Sequence, residues 1–319
     1  MKLKPERGKW KMLNSNVAVV GHLSIDSIFL PGRSSPFTVM GGSAAYVSLA
    51  ARRLGATTAL VSKVGGDFPK AYLWLLEQEG VDLSGLLSTK NAVTTRFGLT
   101  YSDDLTRREL RLTSKAERIS VEDLPKSMKA RVVHIAPIAD EVTYELVEKL
   151  KSNAGIVSLD PQGLVREFDA EGKVRISSLK DKRILGLVDI YKSSLEEIMA
   201  VTDLADLETA IKGIHDCGVS IVIVTLGSDG IAVSVEDRVH RVPAFESKKS
   251  VDPTGAGDVF MGSFLAEYAR GEDCSWCSYV GVAAASIVIE GIGPTNLGDK
   301  EEIYRRARLL SEKEIKHDT

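Results

Sequence analysis

The sequence is poor in the residues that mark several whole classes of protein. Only three cysteines, Cys217, Cys274 and Cys277, occur in 319 residues, so no disulfide framework holds this chain together. Cys274 and Cys277 spell C-x-x-C, but no second ligand pair lies nearby, and packing thiols are expected there rather than a zinc or redox site. No apolar run approaches the roughly 18 residues of a transmembrane helix. The charged segment 1–11 is not followed by the apolar core of a signal peptide, and a cytoplasmic protein without a membrane partner is expected. An excess of one charge is missing too. Lys and Arg number 41 against 44 Asp and Glu, a net charge of -3 that gives no broad basic field for nucleic acid. An anionic ligand must therefore be met locally. Neither G-x-x-x-x-G-K-[ST] nor a complete dinucleotide fingerprint occurs, because Gly291-Ile292-Gly293 lacks the preceding strand and the third glycine. The five histidines form no metal-ligand or catalytic pair in sequence.

What is present is material for a large core: 44% hydrophobic residues with 27% charged. An apolar run at 17–20 ends at Gly21, and a helix over 44–54 is expected, with Ser43 as N-cap and Gly55 beyond its end. A strand over 57–61 follows, then a helix capped by Asp67 that runs to Glu79 and stops at Gly80. Segments 94–101 and 107–112 read as a β-hairpin around a turn at 102–104. Alternation resumes with strands over 132–135, 156–160, 186–190 and 220–225, separated by helices over 140–151 and 206–217. From Thr254 the chain is nearly all helix, over 257–268, 275–290 and 300–311. Charged tails at about 1–11 and 311–319 are expected to be loosely ordered at their extremes. The pattern predicts one α/β domain over 1–319, a doubly wound, mostly parallel sheet flanked by helices. A small β-sheet lid is expected from segments 27–40 and 91–115. Ligands bind such sheets at the carboxyl ends of the strands.

The strongest local signal is Asp252-Pro253-Thr254-Gly255-Ala256-Gly257-Asp258 at the start of a helix. Small residues let the chain turn tightly, so the first free N–H groups converge at the positive end of the helix dipole. That is an anion hole, and a carboxylate in its first turn, Asp258, stands where it can take a proton from an attacking hydroxyl. The plain alternative is an ordinary Gly-rich turn with an acidic residue favouring the dipole.

This run resembles the D-T-G-A-G-D signature of the ribokinase-like (PfkB) family of carbohydrate and nucleoside kinases. The family's first signature is similar to Gly41-Gly42-Ser43-Ala44-Ala45, and its strand-end G-x-x-x-x-D to Gly21-His22-Leu23-Ser24-Ile25-Asp26. The resemblance runs from about residue 17 to 310. It implies an ATP-dependent kinase for a hydroxyl of a small sugar or polyol, with Asp258 as catalytic base. The amides of Gly255, Ala256 and Gly257 would meet the transferring phosphoryl group, and Asp26 with Gly41 and Gly42 the substrate hydroxyls. Thr225, Gly227 and Gly230 resemble the T-x-G-x-x-G nucleotide segment, although Gly-Ser-Asp-Gly is also a good turn. The family's N-x-x-E, which organises Mg²⁺ through water, falls on Ser194-Leu195-Glu196-Glu197, so only Glu197 is kept; Ser-x-x-Glu is also a capping box. Asp252 stands at a position that contributes to a monovalent-cation site in many members, which implies K⁺.

Tyr46 replaces the ribokinase asparagine, and Gln162 and Arg166 follow a strand end. Together with the arginines of the 107–112 hairpin arm, these residues look similar to the archaeal myo-inositol kinase branch and are the candidate selectivity residues. A nucleoside kinase, with Tyr46 and Phe97 as base platform, is the alternative. A phosphofructokinase-like enzyme using Arg96 or the hairpin arginines is the next, and a non-catalytic sugar or nucleotide sensor the reading from another class. Exposed lid edges also suggest a homodimer through the lid.

Overall fold

The computed structural model describes residues 13–103, 108–247 and 251–315; the 1–12 part of the N-terminal tail, the last residues 316–319 and the hairpin tip at 104–107 lie outside the described residues. The last helix continues through Ile315, and the extremes of both tails, expected to be loosely ordered, lie outside the described residues.

Strand β1 (Leu13–Val20) shows how the main sheet is covered. Val17 and Val19 point into one apolar cluster and Ala18 and Val20 into another, all fully buried. A strand apolar on both faces belongs inside a doubly wound sheet. It pairs with β4 (Thr58–Gly65) and β8 (Met128–Ile135), and the sheet is completed by β5 (Asp82–Thr89), β9 (Ala154–Leu159), β12 (Ile190–Ser194) and β13 (Ile221–Thr225), then β14 (Ile231–Val235) and β15 (Arg238–Val242). The order is β15-β14-β13-β12-β9-β8-β1-β4-β5, parallel except for the β13-β14-β15 meander. Helices α1 (Ser43–Arg53), α2 (Lys70–Gln78), α6 (Ala256–Tyr268), α7 (Cys274–Val288) and α8 (Lys300–Ile315) pack on one face. Helices α3 (Tyr144–Lys151), α4 (Leu195–Thr202) and α5 (Leu207–His215) cover the other. No helix of the described residues is long and apolar enough to cross a membrane.

A second sheet, order β3-β2-β6-β7, stands over the strand ends and is built from β2 (Ser24–Phe29), β3 (Phe37–Gly41), β6 (Thr95–Tyr101) and β7 (Arg108–Ser114). Ile28, Phe97, Leu99, Tyr101, Ile138 and Ala139 form its own small core. A further hairpin, β10 (Arg166–Phe168) with β11 (Val174–Ile176), docks on the β7 edge. The contact is a bridge between Arg111 and Lys173 and a bond from Leu112 N to Gly172 O of 2.8 Å.

Several local expectations are corrected. Asp67 caps no helix: α2 starts after Pro69, and the Asp67 carboxylate instead accepts from Thr94 N at 2.8 Å, Thr94 Oγ1 at 2.7 Å and Arg96 Nη2 at 2.8 Å. The strand expected over 186–190 begins at Ile190, because Lys182–Leu187 forms a 3₁₀ turn capped by Asp181 that buries Ile184 and Leu185. The helix expected from 140 begins at Tyr144, where Thr143 supplies the cap. Strands β5, β10, β11, β14 and β15 were not foreseen.

Candidate active site

The carboxyl ends of β9 and β12, the starts of α1 and α6, and the small sheet enclose a cavity of about 940 Å³. Asp26, Gly42, Tyr46, Gln162, Arg166, Ser194, Glu197, Gly255, Ala256, Gly257 and Asp258 all line it. Gly41 and Asp252 stand behind the lining. Thr225, Gly227 and Gly230 do not reach it.

Helix α6 begins without a side-chain cap. Gly255 is left-handed at φ 81°, and a Cβ there would lie 2.4 Å from the Tyr46 ring, so a glycine is needed twice over. Ala256 N turns back to Pro253 O at 3.3 Å, while among the described residues Gly255 and Gly257 donate to no backbone oxygen. Their N–H groups remain for an anion at the positive end of the helix. Burial raises the Asp258 carboxyl to about 6, and Asp160 adds to the rise; Lys192, the Ser43 hydroxyl and Arg166 oppose it.

Ser43 is therefore corrected as a helix cap. The N-cap of α1 is Gly42 at φ 91°, and the Ser43 hydroxyl, which helps hold down the Asp258 pKa, accepts from Gln162 Nε2 at 3.3 Å. Gln162 Oε1 in turn accepts from Arg166 Nη2, and Arg166 Nη1 donates to Ile138 O at 3.1 Å. The Arg166 guanidinium also lies over the Phe97 ring, 5.8 Å from its centroid. One polar chain thus runs from Ser43 through Gln162 and Arg166 to Ile138 on the far wall.

On the opposite side Ser24 Oγ donates to Asp26 Oδ1 at 2.6 Å, and burial raises Asp26 to about 6. A Cβ on Gly41 would meet Asp26 Oδ2 at 2.0 Å, so that glycine makes room for the carboxylate. Tyr46 is buried and its hydroxyl has no partner among the described residues. Burial, then Asp26, Asp252 and Asp258, push its pKa well up, which keeps the phenol a neutral donor. From the small sheet Tyr101 donates to Asp252 Oδ1 at 2.7 Å and lies 2.9 Å from Thr254 Oγ1. Asp252 Oδ2 is buried without a partner among the described residues.

Glu197 and Ser194 form the capping box: Glu197 Oε2 accepts from Ser194 N at 2.8 Å, and Ser194 Oγ accepts from Glu197 N at 3.2 Å. Arg96, the sugar-phosphate candidate, is engaged with Asp67 at 2.8 Å and does not line the cavity, whereas Arg108 does. Sequence reasoning missed Lys192, whose Nζ sits 2.6 Å from Asp160 Oδ2 in a buried pair. A lysine inside the buried strand Ile190–Ser194 was the signal available.

A family model described as the pfkB family carbohydrate kinase matches residues 14–301. The chain belongs to the pfkB family. It is 31% identical over 282 residues to the cytidine kinase of Thermococcus kodakarensis, covering 87% of this chain and 97% of that protein. It is 28% identical to the inositol 3-kinase of Arabidopsis thaliana, covering 92% and 81%. Among solved structures, a pyrophosphate-dependent kinase of the ribokinase family complexed with a pyrophosphate analogue and myo-inositol superposes with a TM-score of 0.77 at 22% identity, covering 91% and 99%. As a pfkB member whose relatives are kinases, the chain is a phosphotransferase.

Proposed function

We propose that this pfkB kinase transfers the terminal phosphoryl group of ATP to a hydroxyl of a small sugar, polyol or nucleoside, with Asp258 as general base. The observation that carries the reading is the placement of Asp258 one residue beyond the open amides of Gly255 and Gly257, facing the same cavity as Asp26. The acceptor hydroxyl gives its proton to Asp258, its oxygen attacks phosphorus in line, and the α6 amides meet the charge that develops. Asp26, Gly42 and the unpartnered Tyr46 hydroxyl hold the other hydroxyls. The small sheet serves as lid and shuts out water, within one kinase domain working in the cytoplasm. A homodimer through this sheet would use the β3 edge, since β11 already occupies part of the β7 edge.

Among acceptors we favour a nucleoside. Phe97, Leu99, Ile138, Val174 and Ile176 give the cavity an apolar wall suited to a flat base, with Gln162 and Arg166 at its rim, and a polyol has no use for such a wall. Relatives named cytidine kinase and nucleoside kinase, 31% and 30% identical, accord with this.

An Mg²⁺ ion would be carried by the donor phosphates. Glu197, which lines the cavity, would hold it through water, and the ion would supply charge neutralisation at the phosphates. The buried, unpartnered Asp252 Oδ2 fits K⁺. For the nucleotide, Gly227 leaves open space two residues beyond β13, whose last residue Thr225 is in register with Ser194 of β12.

The test is product formation from Mg-ATP, and from pyrophosphate in parallel, against cytidine, uridine, adenosine, myo-inositol, ribose and fructose. Asp258→Asn is expected to lower kcat by ~10³-fold or more. Undiminished turnover in that variant would place the base elsewhere. Binding of a panel member without turnover under any donor would make the chain a sensor.

A further inference from the structure

Lys192 stands in the middle of β12, in register with Ile223 of β13, and is 4% exposed. Its ammonium lies 2.6 Å from Asp160 Oδ2, and a Cβ built on Gly257 would be 2.7 Å from Nζ. The cation is therefore pressed against the middle of the phosphate-binding turn and lines the cavity. We propose that Lys192 is a catalytic residue of the transfer, its ammonium bonding an oxygen of the transferring phosphoryl group beside the α6 amides. This rests on the reading of Asp258 and those amides given above.

Three arguments support the assignment. Burying two ions costs several kcal/mol apiece, and an apolar pair at the same place is usually as stable or more so, so stability does not account for the pair. An ammonium has three N–H donors, and among the described residues its hydrogen-bond acceptor is Asp160 Oδ2, which leaves donors for the cavity. Asp160 is itself anchored, its Oδ1 accepting from Gln162 N at 3.2 Å, so it fixes the lysine head rather than competing for the ligand. Finally, a phosphoryl group beside an ionised Asp258 brings like charges together, and a cation next to both relieves that repulsion. In the balanced step the acceptor O–P bond forms as the bridging P–O bond of the donor breaks. The leaving phosphate keeps the electron pair, the hydroxyl proton goes to Asp258, and Lys192 stays protonated throughout.

The charged and titratable groups facing Lys192 are His134 of β8, Asp160 after β9, Glu197 of α4 and Asp258 of α6; Arg166 of β10 also acts on Asp258. Lys192 lowers the pKa of Asp258 and Asp160 raises it, which gives the test a sign.

Steady-state rates from pH 5 to 8 are measured for wild type, Lys192→Met, Lys192→Arg, Asp160→Asn and Asp258→Asn. The acceptor is the panel member with the highest turnover, and calorimetry follows the affinity for Mg-ATP and for magnesium pyrophosphate. Lys192→Met is expected to lower kcat by ~10²-fold or more with the acceptor KM within about threefold, and Lys192→Arg to recover part of it. The acid limb should move up in Lys192→Met and down in Asp160→Asn. Donor affinity should fall in Lys192→Met and not in Asp160→Asn. Should Lys192→Met fail to fold, Lys192→Gln, which keeps a hydrogen bond to Asp160, carries the same comparison. Equal losses in the lysine and aspartate variants, with the limb and the donor affinity unmoved, would reduce the pair to a structural tie. A dead Asp258→Asn beside a fully active Lys192→Met sinks this inference alone, and an active Asp258→Asn sinks the base assignment instead.

Discussion

The chain carries two glycine-rich turns at the ends of its structural units, 254–257 before α6 and 226–230 after β13, and they look alike in sequence while doing different physical work. In the first, the missing side chains make room for the Tyr46 ring and the Lys192 ammonium, both of which line the cavity. In the second, the Cβ that Gly230 lacks would strike Val242 O at 2.1 Å, so the glycine there admits the neighbouring backbone of the sheet edge. Gly227 differs again, with φ +63° and nothing within 4 Å. A glycine is thus explained by what occupies the place of its Cβ: side chains of a site in one turn, backbone of the fold in the other.

Substitutions at each turn put this contrast at risk. The largest effect is expected for Gly255→Ala, which drives a methyl into the Tyr46 ring and tilts the first amides of α6; kcat should drop by ~10²–10³-fold, measured with circular dichroism confirming the fold. Gly230→Ala should instead cost stability, on the order of 2–4 kcal/mol in urea unfolding, with turnover of the remaining folded protein little changed. If Gly230→Ala stayed stable and lost turnover, the contrast would be broken.

A smaller, reversible probe is pH. Asp258 and Asp26 are both raised to about 6, so kcat/KM should fall on the acid side of pH 6, at least tenfold per unit, and more steeply if both must be ionised. The same shift acts oppositely on stability. A carboxyl raised in the folded state contributes stability fully below its unfolded pKa near 3.8, and this is lost as pH rises through about 6. At pH 7 to 8 Asp258→Asn should therefore melt higher than wild type while turning over less. Gly227→Ala is the smallest change, ~1 kcal/mol from left-handed strain with near-normal rates, read in the same unfolding experiment.

The alternation of strands and helices, and a glycine-rich helix start with Asp258 in its first turn, were legible because each rests on local pattern: runs of β-branched residues, and glycines beside a helix start. The side-chain alliances were not. Ser43 reads as an N-cap because serine before an apolar run usually is one, yet its hydroxyl accepts from Gln162, far along the chain. Asp67 misled in the same way by bonding Thr94 rather than the helix that follows it. Lys192, Asp160 and Tyr101 meet their partners only through strand order, which no single window of sequence contains. The outer strands β14 and β15 escaped because Gly-Ser-Asp-Gly was weighed as a ligand segment, when part of its task is to reverse the chain.

The hairpin β10-β11 leaves the rim of the cavity at Arg166 and returns to clasp β7 through Lys173 and Gly172. It works as a tether of fixed length between the floor of the site and its roof. A roof so tied does not lift without pulling on the strand that begins with Arg166, and so on its link to Gln162 and Ser43. On the function proposed above, letting the product out and dismantling that polar chain would be a single movement, and a shorter or stiffer hairpin would slow release before it touched the chemistry.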